Sequence, residues 1–134
     1  MSYYYRVHIS LILRKDTPQC ITDFLVRAIE SNLFVIPDNE PIFNHKFFTL
    51  DRWASIFHHH IDLDPPRFIK HTGGYYDLQL DANINYGSEE IHEFTKWITP
   101  YVAGRKKKQY IGWYKGESHE IQSTNLYAER EAIQ

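Results

Sequence analysis

The chain has 134 residues, 43% of them hydrophobic and 16% aromatic, enough for one folded domain spanning residues 1–134 and too few for two. A net charge of −2 excludes a strong overall field that would draw it to nucleic acid or an anionic membrane. The single cysteine, Cys20, excludes an intramolecular disulfide and any C-x-x-C motif, and no apolar run approaches the ~18 residues of a membrane span.

Residues 3–14 alternate. Tyr3, Tyr5, Val7, Ile9, Leu11 and Leu13 fall on one side, and Tyr4, Arg6, His8, Ser10, Ile12 and Arg14 on the other. Side chains on a strand point alternately to its two faces, so the spacing predicts a half-buried strand. Arg6 and His8 interrupt the apolar run, and no small-residue cleavage site follows, so a cytoplasmic protein rather than a secreted one is expected.

Asp16-Thr17-Pro18 predicts a helix start, with Thr17 as cap and Pro18 at the first helical position. Ile21, Phe24, Leu25, Ala28 and Ile29 keep helical spacing, and Asn32 is the expected stop. Residues 33–66 form an irregular insertion punctuated by Pro37, Pro41, Pro65 and Pro66. Thr49 is expected to cap a short helix within it, carrying Leu50, Trp53, Ala54 and Phe57. The insertion is long for a structureless connection, so a structural or functional task is expected of it.

Residues 67–71 predict a strand, and Thr72-Gly73-Gly74 a turn leading into residues 76–86. There Tyr76, Leu78, Leu80, Ala82, Ile84 and Tyr86 alternate with Asp77, Gln79, Asp81, Asn83 and Asn85 without exception. Helical spacing would scatter the acids into the apolar stripe, so this is a long strand with one wet face. Ser88 is expected to cap a second helix with Glu89 and Glu90 in its first turn, where the dipole favours acid. Ile91, Phe94, Ile98 and Tyr101 mark its buried face. Pro100 should end or kink it near Thr99, with Gly104 as terminator. After the basic run at residues 105–108, residues 110–115 and 121–128 predict two more strands, and residues 129–134 a frayed tail.

This order predicts an α+β fold, a split βαβ (ferredoxin-like) two-layer sandwich. Its antiparallel sheet carries two long helices on one face, an insertion after the first helix and an extra C-terminal strand. The other face of the sheet is then open. Arg6, His8, Asp77, Gln79, Asp81 and Asn83 share it, and they are the candidate partner-binding residues. As a solvated surface they would form cross-strand pairs contributing roughly 0.2–1 kcal/mol each. As a recognition surface, an acidic, amide-rich strand suits a basic protein partner, with tyrosines as contact area. In outline this resembles small acidic cytoplasmic proteins that neutralise a basic toxin, so an immunity or inhibitor role is one concrete form; self-association through the same face is another. Asp77 and Asp81 would repel phosphate, so nucleic acid is not an expected partner, and no membrane association is expected.

No catalytic residues are assigned. His8-Ile9-Ser10 matches one half of the paired H-x-S/T motif of two-histidine phosphoesterases, and no second half exists. No P-loop, G-x-S-x-G or glycine-rich dinucleotide fingerprint occurs, and no cofactor is expected. Asp77 and Asp81 lie about 13 Å apart along one strand, too far for paired acid–base work. An enzyme would have to pair His8 with Asp77 or Asp81 across strands. Eight histidines, with His58-His59-His60 ahead of Asp62, raise a metal alternative on His58, His60 and Asp62. Adjacent ligands converge on one ion only where the backbone folds back, and a polar surface loop is the simpler expectation.

Overall fold

The computed structural model describes residues 4–85, 88–116 and 122–130. Five strands form one antiparallel sheet: β1 (Tyr4–Leu13), β2 (Arg67–Lys70), β3 (Tyr76–Asn85), β4 (Lys108–Gly116) and β5 (Thr124–Glu129). Their spatial order is β2-β3-β1-β4-β5. Two helices, α1 (Gln19–Glu30) and α2 (Ser88–Ile98), complete an α+β architecture. Both β1 and β2 run antiparallel to β3, so they are parallel to each other, joined by α1 and the insertion. The same relation holds for β3 and β4 about β1, joined by α2. Among the described residues no helix is long and apolar enough to cross a membrane.

β1 and β3 pair along their full length, from Tyr4↔Asn85 to Leu13↔Tyr76. Their alternation therefore acts in phase. Val7, Ile9, Leu11 and Leu13 meet Leu78, Leu80, Ala82 and Ile84, and all are buried. A register slip of one residue would turn this whole set toward solvent, so burial fixes the pairing. α1 buries Ile21, Phe24, Leu25 and Ala28 in the same core, and α2 buries Ile91, Phe94, Trp97 and Ile98.

Helix starts differ from expectation: Ser88 is the first residue of α2 rather than a residue before it, and α1 begins one residue later than expected. Thr17 does not cap α1: its hydroxyl donates to the Arg14 carbonyl at 2.6 Å, closing a local turn, and Pro18 precedes the first helical residue. Donation to a carbonyl three residues back holds the short side chain against the preceding turn, away from the helix amides it would have to accept from as a cap. At the other end Asn32 is the stop. It adopts a left-handed φ of 53°, and Leu33 N–H reaches back to the Arg27 carbonyl at 3.0 Å. α2 ends at Ile98, and Pro100 sits in a following 3-10 turn, Thr99–Tyr101. The expected strand ends at Tyr3, Tyr86 and Ile121, the residue Gly87 before Ser88 and residues 131–134 of the tail lie outside the described residues, while Glu129 closes β5 and Arg130 N–H donates to the Lys107 carbonyl at 2.9 Å.

The insertion is part of the core. It forms three 3-10 turns, Pro41–Phe43, Lys46–Thr49 and Trp53–Phe57. Thr49 ends the second of these, donating to the Lys46 carbonyl at 2.7 Å, and caps no helix. The turns deliver Phe43, Phe47, Phe48, Trp53 and Phe57 into one aromatic cluster with Phe24 of α1 and with Phe94 and Trp97 of α2. Three polar contacts tie the insertion to α2, one of them the exposed Lys46–Glu89 ion pair at 2.8 Å. Trp97 Nε1 donates to the Ile42 carbonyl at 3.0 Å, and Arg52 N–H donates to the buried Glu90 carboxylate at 3.1 Å. The helices cannot fill the layer over a five-stranded sheet alone, and the insertion supplies the missing volume.

Candidate functional site

With the helices and insertion on one face, β1 and β3 present their polar side chains on the other. The register places Arg6 opposite Asn83, His8 opposite Asp81, Ser10 opposite Gln79 and Ile12 opposite Asp77. All six residues expected there share this face. Arg6, Ser10 and Ile12 are exposed, and Asp77, Gln79 and Asn83 are half-buried.

The acids are less available than the sequence implies. Asp81 is only 7% exposed, and its Oδ1 lies 2.8 Å from His8 Nδ1. Asp77 Oδ2 lies 3.7 Å from His71 Nε2. Directly opposite residues on paired strands bring their Cβ atoms close, so His8 and Asp81 meet without adjustment of either backbone. The histidine holds the carboxylate through Nδ1.

Two residues of β4 that sequence reasoning left out complete this region. Trp113 lies opposite His8, and Lys115 opposite Arg6. The Arg6 guanidinium sits over the Trp113 ring, 5.5 Å from its centroid, and the His8 ring is 5.9 Å from the same ring. A cation over an indole face is attracted by the ring quadrupole, which holds Arg6 in a defined position. Tyr4, Arg6, Asn83, Trp113 and Lys115 surround a depression of about 360 Å³. A second depression of about 490 Å³ involves Ser10, Ile12, Asp77 and Tyr110.

β4 reaches this position through Gly112. A β-bulge falls between Tyr110 and Gly112, shifting the phase of the strand, and Gly112 passes so close to β1 that a Cβ there would collide with the His8 carbonyl oxygen. Alternation in residues 110–115 alone carries no sign of that shift.

The three consecutive histidines diverge. The His58 ring packs against Phe34 at 5.0 Å between centroids, and His59 is exposed. His60 Nε2 accepts the Asn83 N–H at 3.2 Å. β2 pairs with β3 only as far as Gln79, so beyond it the outer edge of β3 lacks a strand partner, and the imidazole takes that role. Burial, and then the neighbouring His58, lower the His60 pKa below its ordinary 6.5, with a hydrogen bond to the Ser55 backbone opposing. A lowered pKa keeps Nε2 an acceptor, as the contact requires. Asp62 is exposed, and among the described residues no group of three or more His, Cys, Asp or Glu is placed to hold a metal ion. Cys20 is half-buried, and desolvation pushes its thiol pKa up, away from nucleophilic character. A larger hollow of about 650 Å³ lies between α2 and β5, where His92 Nε2 meets the Tyr114 hydroxyl at 3.0 Å, and it contains no residue of the open face's polar set.

No protein-family model matches the chain, and no curated protein or solved structure shows significant similarity to it.

Proposed function

We propose that this chain is a small cytoplasmic, non-enzymatic binding protein that holds a protein partner on the open face of its sheet, an immunity or inhibitor protein being one form. One observation carries the reading. The central strand β1 keeps Arg6, Ser10 and Ile12 exposed on one side while its other side is buried under both helices and the insertion. Side chains fixed by strands lose little entropy on binding, which favours recognition. We also read the topology as a split βαβ sandwich with β5 added. The parallel relations of β1 to β2 about β3, and of β3 to β4 about β1, support that reading.

The test is capture of a partner from host lysate by wild type and by a Ser10→Arg/Gln79→Arg variant. These residues face each other near the middle of the face, and neither is buried. Loss of a specific partner in the folded variant supports the reading. Capture by both forms refutes use of this face. Sedimentation across a concentration series tests self-association separately: a constant monomer mass excludes a homodimer.

A second reading is favoured by the His8–Asp81 geometry. A histidine whose Nδ1 is held by a carboxylate has the arrangement of an oriented general base. Hydrolysis of activated ester substrates that disappears with His8→Gln would support it.

A further inference from the structure

Arg6 and Lys115 face each other directly across β1 and β4, on the same side of the sheet. Like charges directly opposite on paired strands destabilise the sheet. No described carboxylate relieves them. Among the described residues neither side chain has a carboxylate within ion-pair distance. The nearest acid along the face by register, Asp81, is opposite His8, the next residue of β1 on this side, and is bound to it. The stacking of Arg6 on Trp113 holds the guanidinium in place, and Asn83 adds an amide on the other flank. These groups ring the depression of about 360 Å³.

We infer that this depression seats a carboxylate of the protein partner, so the partner presents an acidic side chain here. The inference rests on the reading of the open face as a protein-binding surface and names the chemistry that surface takes. A fixed, planar guanidinium suits a carboxylate, which it grips through two parallel hydrogen bonds. Charge complementarity selects the same occupant. Among the described residues the two charges here that lack a carboxylate partner, Arg6 and Lys115, are both positive, while the acids expected to attract a basic partner are occupied by His8 and His71. A nucleic-acid strand fits less well. Asp81 and Asp77 follow along the same face, so a track of phosphates leaving the seat would run onto carboxylates. The overall charge of −2 gives it no compensating attraction.

The probe is a synthetic octaglutamate peptide, titrated into the ¹⁵N-labelled full chain while the Trp113 indole and Arg6 Nε resonances are followed. Octalysine and an eight-nucleotide oligothymidine serve as comparisons. Octaglutamate should shift both resonances saturably and weaken with added salt. Arg6→Gln or Lys115→Gln should each reduce its affinity about tenfold, as for one lost charge-assisted contact. Retained dispersion of the remaining resonances verifies the fold of each variant. Absence of a saturable shift overturns the inference, as do equal affinities in wild type and both variants. Tighter binding of oligothymidine overturns it in favour of phosphate. The partner-capture experiment separates this inference from its parent. A partner lost with Ser10→Arg/Gln79→Arg but kept with Arg6→Gln/Lys115→Gln overturns the carboxylate seat alone. A partner kept by both variants overturns the open-face reading as well.

Discussion

Phe47→Ala tests whether the insertion is part of the core or a separate functional lobe. Phe47 is fully buried, and its ring meets Phe48 at 4.9 Å, Phe94 at 5.4 Å, Trp53 at 6.0 Å and Trp97 at 6.1 Å between centroids. Truncating a buried phenylalanine costs about 3–5 kcal/mol, from lost transfer energy and the cavity left behind. The surrounding rings come from α2, from the neighbouring Phe48 and from another turn of the insertion, so the site cannot collapse without moving a helix, and the upper half of that range is expected. Against a total stability of about 5–15 kcal/mol this is a large fraction. For a chain of this size it lowers the melting temperature by about 10–20 °C. Urea denaturation with an unchanged m-value gives the energy, and near-ultraviolet circular dichroism gives the melt. Ile61→Ala in the same insertion is the control. Ile61 is 95% exposed, so a change within about 0.5 kcal/mol is expected. A loss below about 1 kcal/mol for Phe47→Ala would refute the reasoning. So would a separate early transition with the sheet still intact.

Three further predictions concern β3, β4 and the seam between α2 and the insertion. His60→Phe removes both the Asn83 acceptor and a group whose pKa is lowered on folding. The unfolded state binds the proton more readily, so this contribution to stability is fully present above about pH 6.5 and is lost as pH falls through the lower folded value. The wild-type advantage over the variant should therefore shrink on acidification, and parallel profiles between pH 8 and pH 5 would refute the assignment. Gly112→Ala should cost about 3 kcal/mol or prevent folding, because its Cβ meets the backbone of β1 rather than a movable side chain. Wild-type-like urea midpoints would show that β4 does not pass β1 as described. Trp97→Phe keeps most of the ring packing and loses the bond to the Ile42 carbonyl, for about 1 kcal/mol by urea denaturation.

Strand content was legible because β3 alternates without a break and β1 with Ile12 as its aliphatic interruption, and burial on one face only then leaves a single register. The six face residues were legible for the same reason. Legibility failed where local chemistry had two outcomes or where no period existed. Thr17 and Thr49 have the sequence signature of caps, yet each donates to a carbonyl three residues back. The aromatic residues of the insertion are spaced for three tight turns rather than for one helix, so no helical stripe connects Phe43, Phe47 and Phe57. Trp113 and Lys115 were missed because their side of the sheet depends on a bulge that alternation does not announce. The acidic look of β3 misled in a different way. Counting Asp77 and Asp81 as surface charge ignores the histidines that the fold sets against them.

The His8–Asp81 pair bears on both functional readings, and its energetics separate them. A carboxylate 7% exposed needs a partner, and His8 is the one within 2.8 Å. If the pair exists to pin β1 to β3, His8→Ala leaves a nearly buried carboxylate unsatisfied and should cost about 1–3 kcal/mol. Asp81→Ala then removes the group that suffered, so the double variant should lose less than the sum of the singles. Chemical denaturation of the four forms gives this coupling directly. Groups retained for chemistry behave differently, because sites kept for activity are often held against stability. Single substitutions that leave the chain as stable or more so, with no coupling between them, would contradict the pinning role. They would leave function as the reason for placing a histidine and an aspartate opposite each other at the centre of the sheet, and would move the general-base reading ahead of the binding one.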